Sequence, residues 1–107
     1  MTNELIEKAL NVIKVQDISN HEQQLYVTSE HQLMERIIFA KAEELVELLD
    51  WSDTDFWLEF PLWARLLVYR LLVLLRPQDS HLKRRIAIGL RSFGPDWDEY
   101  ADELESE

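Results

Sequence analysis

A chain of 107 residues is the size of one domain, and 47% hydrophobic with 30% charged residues is the balance of a chain that folds around a core. With no cysteine, disulfides, thiolate metal sites and thiol catalysis are excluded, and nothing requires an oxidising compartment. The net charge of −10 is unevenly laid out: residues 1–64 carry 13 acids and 4 bases, residues 65–94 carry 7 bases and 1 acid, and residues 95–107 carry 7 acids and no base. A basic block between two acidic ones either closes on itself in the fold or offers patches to charged partners.

The first ten residues, MTNELIEKAL, have acids where a secretory signal carries bases, so a cytoplasmic location is expected. Residues 3–14 place Leu5, Ile6, Ala9, Leu10, Val12 and Ile13 on one arc and Glu7, Asn11 and Lys14 opposite, which predicts an amphipathic helix. Residues 15–29 include the strand-like run Gln24 to Thr28, but one strand makes no sheet, so a loop or short helix is expected. Ser29 followed by Gln32 fits a capping box, and Met34, Ile37, Ile38, Leu45, Leu48 and Leu49 then form one helical stripe reaching Asp50. Ser52 followed by Asp55 suggests a further N-cap opening a short turn to Phe60, which Pro61 ends.

Leu62 to Leu75 reads as a helix with leucine, valine or tryptophan on nearly every side. Arg65, Tyr69 and Arg76 share one narrow strip, and Arg70 stands apart. At 14 residues the run is short of the roughly 20 that a membrane span needs, so it is expected to be a core helix surrounded by others. If one of its sides stays uncovered, that side is the candidate partner or dimer interface. Asp79 or Ser80 caps a helix over residues 81–93 with Leu82, Ile86, Leu90 and Phe93 on one face, and Gly94 with Pro95 stops it. The acidic residues 96–107 carry Trp97, Tyr100, Ala101 and Leu104 at helical spacing. The fold expected is all-α: a single-domain bundle of about five helices around a central apolar helix at 62–76, with the acidic C-terminal segment 96–107 docked on it.

No arrangement of residues points to catalysis. His21, His31 and His81 are far apart in sequence, and His21-Glu22 is followed at position 25 by Leu where a zinc-protease motif needs His. Asp50, Asp53, Asp55 and Glu59 lack the spacing and glycine of a calcium loop, and capping with a solvated face explains them. Neither a phosphate-cradling glycine loop nor a nucleophile elbow is present. No enzyme activity, cofactor or metal is therefore expected.

Three features invite a functional reading. Trp51, Phe56, Trp57, Phe60 and Trp63 are interleaved with Asp50, Asp53, Asp55 and Glu59. Core packing explains the rings that point inward; any left outside form an acid-rimmed aromatic patch. Lys83, Arg84 and Arg91, with Arg85 a little further round, form a basic face that either pairs with the acidic tail or contacts nucleic acid. Lys41 falls inside the apolar stripe of the second helix, where its stem lies on the core edge and its ammonium snorkels out, or where it meets an acid on a partner.

The expected function is protein binding, as an adaptor, inhibitor or immunity-type protein, through Trp51, Asp53, Asp55, Trp57, Glu59, Trp97 and Tyr100. The partner would have a basic or amphipathic surface, with Lys41 at a possible interface and self-association open. The alternative is a nucleic-acid role, by direct binding through residues 81–93 or by mimicry with the acidic segments. Direct binding is disfavoured because most of a −10 surface repels phosphate.

Overall fold

A computed structural model describes residues 3–16 and 23–106, the side chains of residues 15, 16 and 23–27 excepted. These residues form six α-helices and no strand: α1 (Glu4–Gln16), α2 (Gln23–Ile38), α3 (Ala42–Asp55), α4 (Leu62–Leu75), α5 (Ser80–Arg91) and α6 (Asp98–Ser106). The protein is all-α. Residues 1–68 and 69–107 form two compact units, and α4 runs unbroken from one into the other.

In the first unit α1 begins where the Asn3 carboxamide oxygen accepts the Leu5 N–H at 2.8 Å, satisfying a helix-end donor. Its inward residues Leu5, Ala9, Val12 and Ile13 are buried at helical spacing, as the periodicity requires. α1 packs on α2 and α3. Two polar links fix that arrangement: the Asn3 amide donates to the Glu44 carbonyl at 3.2 Å, and Arg36 on α2 lies between Glu4 of α1 (3.0 Å) and Glu44 of α3 (3.9 Å).

The single helix expected from Ser29 to Asp50 is two helices. α2 begins six residues earlier, at Gln23, so Ser29 is a buried residue inside it rather than a cap. Of the region expected as loop or short helix, residues 17–22 lie outside the described residues. The chain leaves the helix at Phe39 and restarts at Ala42. The break changes the angular phase: Leu33 and Ile37 face inward on α2, and Ala42, Leu45, Leu48 and Leu49 on α3, while Met34 and Ile38 are left exposed.

Lys41 is removed from the stripe by the same break. It is exposed at the N-cap of α3, with φ −80° and ψ 157°, and its backbone N–H donates to the Glu44 carboxylate at 2.9 Å. Ser52 likewise caps nothing. It is fully buried in the last turns of α3, where its hydroxyl donates to the Leu49 carbonyl at 3.1 Å. After Asp55 a turn closed by the Phe60 N–H on the Phe56 carbonyl (2.9 Å) leads to Pro61 and α4.

α4 is oriented opposite to what its composition suggests. Ala64, Arg65, Val68, Tyr69 and Leu72 are buried, so the narrow strip holding Arg65 and Tyr69 faces in. Leu62, Leu74 and Leu75 are exposed, and Trp63, Leu66, Leu67, Leu71 and Val73 are half-buried. Whether this helix is covered on every side, which the sequence leaves open, is answered for the described residues by the exposure of Leu62, Leu74 and Leu75.

In the second unit Asp79 caps α5 by accepting the Leu82 N–H at 3.0 Å. α5 ends at Arg91, two residues before the expected Phe93. Gly94, at φ 116°, occupies the left-handed region and admits the reversal into a 3-10 turn, Pro95–Trp97, from which α6 packs back along α5. Ala101 of α6 is fully buried.

Gly89 brings Tyr69 against α5: a Cβ there would lie 2.2 Å from the Tyr69 hydroxyl oxygen and 2.8 Å from Cζ. Because Tyr69 is buried, its ring has little room to retreat, and overpacking of about 1–3 kcal/mol outweighs the roughly 1 kcal/mol that alanine adds to a helix. Gly89→Ala should therefore lower the melting temperature, and Tyr69→Phe in the same chain should recover part of the loss. Deleting residues 98–107 should also lower it, by more than Arg91→Ala does, because the deletion uncovers the α5 surface beneath Ala101. Thermal melts of the four variants test both expectations.

Candidate functional site

Arg65 is the most deeply buried charged residue of the first unit, at 1% exposure. Its Nη1 donates to the Asp53 carboxylate at 2.5 Å, and its guanidinium carbon lies 4.2 Å from the Trp57 ring centroid and 5.2 Å from that of Phe60. A carboxylate and two π faces thus replace the water that burial strips from the cation, while Nη2 has no hydrogen-bond partner. All three contacts come from the end of α3 and the turn that follows, so Arg65 ties that connection to α4. On the opposite half of α4 the Trp63 indole donates to Glu30 of α2 at 2.5 Å.

This arrangement divides the acid-interleaved aromatic residues. Trp51 is half-buried and stacked on Phe56 at 4.7 Å, and Phe60 is buried. Asp53 and Trp57 are both engaged by Arg65, with Trp57 keeping 39% of its surface exposed. Asp55 and Glu59 are exposed, and so is Leu58, at 89%. The residues left to meet a partner in this stretch are therefore Asp55, Leu58, Glu59 and the outer face of Trp57. Trp97 and Tyr100, in the second unit, form a separate tilted pair 5.9 Å apart, with Trp97 half-buried and Tyr100 exposed.

The basic face is largely occupied. Lys83 is buried, Arg85 is half-buried and Arg84 is exposed. Arg91 donates to Asp102 at 2.6 Å and to Glu105 of α6; the bond to Asp102, then that to Glu105, raises its pKa above the ordinary value. Lys83 and Arg84 border a cleft of about 190 Å³ whose walls also include Ser80, Leu104 and Glu105, so both signs of charge meet there. Among the described residues no three His, Asp or Glu side chains gather to hold a metal ion, and His31 and His81 are exposed.

The sequence names an uncovered side of α4 as the candidate interface but not which side that is. At 100° per residue, Leu62, Trp63, Leu66, Leu67, Arg70, Leu71, Val73 and Leu74 fall on one half of the helix, opposite Arg65, Val68 and Leu72. Arg70 is its one charge and makes no ion pair among the described residues. A second apolar group, Met34, Ile38 and Phe39, is exposed at the end of α2. The signal for the first lay in Asp53, Trp57 and Phe60 just upstream, which offer what a buried Arg65 needs.

Asp53→Ala should leave a buried guanidinium without its carboxylate and cost about 1.5–3 kcal/mol, less than a fully buried pair would, because Asp53 lies at the surface. Replacing Arg65 by Met as well removes the stranded charge, so the double variant should be more stable than Asp53→Ala alone; urea unfolding of both checks the order. No helix among the described residues is long and apolar enough to cross a membrane. Comparison with family models, curated proteins and solved structures finds no match for the chain.

Proposed function

We propose that this chain is a small, non-catalytic protein-binding module that acts through the outward side of α4. The observation that carries the reading is that side itself: eight residues, seven of them apolar, with Leu62, Arg70 and Leu74 exposed and the other five half-buried, opposite the buried Ala64, Arg65, Val68, Tyr69 and Leu72. A helix apolar all round is stable in water only when covered, and a contiguous apolar face of this kind is the usual core of a protein interface. Asp55, Leu58, Glu59 and the outer face of Trp57 lie at the N-terminal approach to α4 and would form its polar and aromatic rim. The chain would work as an adaptor or inhibitor, and in the cytoplasm, since it has no cysteine to oxidise.

A nucleic-acid role has less to stand on. Of the four bases on α5, Lys83 is buried and Arg91 is held by two carboxylates.

Leu62→Glu and Leu74→Glu place a carboxylate at exposed positions of this side and should leave the helical circular-dichroism spectrum unchanged. Affinity purification with each variant, compared quantitatively with the wild type, should lose the proteins that bind through α4. An identical bound set for all three chains would rule the surface out.

A further inference from the structure

We infer that the outward side of α4 binds a second copy of this chain, antiparallel, with Glu59 of each copy meeting Arg70 of the other. The inference rests on the proposed use of that side for binding and names its occupant.

Charge selects the occupant. A chain of net charge −10 repels its own copies over most of its surface, but the 19 residues from Phe60 to Gln78 contain no acid. α4 is therefore where two copies approach with least repulsion. A cationic partner, by contrast, would be drawn to the acid-rich α3 and α6 and would meet Arg70 on α4.

Arg70 stands among Leu66, Leu67, Leu71 and Leu74, so anything that covers these leucines takes its guanidinium out of water and must bring a carboxylate. Glu59 is exposed and, like Arg70, makes no ion pair among the described residues. The two are separated by 11 positions. A two-fold axis crossing α4 near Ala64 and Arg65 sets Glu59 of one copy beside Arg70 of the other, and by symmetry does so twice. At that crossing Leu62 of one copy meets Leu67 of the other, Trp63 meets Leu66, and the 89%-exposed Leu58 gains cover from Leu71. Antiparallel helices also set opposite ends of their dipoles side by side.

Light scattering over protein concentrations up to about 1 mM, the limit of weak association, should show a wild-type dimer. Glu59→Arg and Arg70→Glu each put like charges together twice per dimer and should weaken it by about tenfold or more, while the double exchange should restore it. An independent arm uses the absence of native cysteine: Glu59→Cys with Arg70→Cys in one chain should give an oxidised, covalently linked dimer. A disulfide closed within one chain would leave a monomer on a non-reducing gel, so only the link between copies gives the dimer band.

A monomer at every concentration, a dimer indifferent to both single reversals, or a double exchange that stays dissociated would each overturn the self-pairing. A monomer that still loses a bound protein on Leu74→Glu would leave the binding role of α4 standing and remove only the second copy. A dimer indifferent to Leu62→Glu and Leu74→Glu would remove both.

Discussion

A guanidinium taken out of water must find a carboxylate or an aromatic face, and Arg65 finds both within the 13 residues that precede it. Asp53 supplies the charge, and Trp57 and Phe60 supply the π faces. Such a pair, its cation buried and its carboxylate at the surface, contributes little net stability compared with a well-packed apolar substitute, but it discriminates among orientations, because turning Arg65 away from Asp53 breaks it. The helix is rigid at 100° per residue, so inserting Arg65 inward drives Leu66, Leu67 and Leu74 outward. The apolar outer side of α4 is thus the geometric consequence of one buried charge.

The break between α2 and α3 follows a similar logic with opposite sign. A continuous helix would carry Lys41 into the apolar stripe of Ile37 and Leu45, where burial penalises an ammonium. Ending α2 at Ile38 and restarting at Ala42 moves Lys41 to an exposed cap, where Glu44 takes its backbone N–H. The change of phase leaves Met34, Ile38 and Phe39 in water. Arg65 lies inward with Asp53, Trp57 and Phe60 as partners, whereas Lys41 lies outward in water.

In the second unit, close packing and charge pairing act on different parts of α5. Gly89 admits Tyr69 at a distance no side chain would permit, which fixes the inner face. Arg91 holds Asp102 and Glu105, so the last cation of the basic block is taken up by the acidic tail next to it in sequence. These exposed pairs orient α6 more than they stabilise it, and the burial of Ala101 supplies the apolar contact.

Periodicity and end signals alone were sufficient for the all-α class, for the inward residues of α1, for a cap at Asp79 or Ser80, of which the structure selects Asp79, and for α4 from Leu62 to Leu75, because these depend on neighbours within a few positions. Asp53, Trp57 and Glu59 could be picked out as unusual from the same local information, although what Asp53 and Trp57 do could not. The break at Phe39, the burial of Ser52 and Lys83 and the rotation of α4 are set by contacts distant in sequence, and a helical wheel gives a leucine-rich side no lower rank than one holding an arginine and a tyrosine. Only the tertiary structure decides which half of α4 faces in, since that depends on whether the chain can surround a charge.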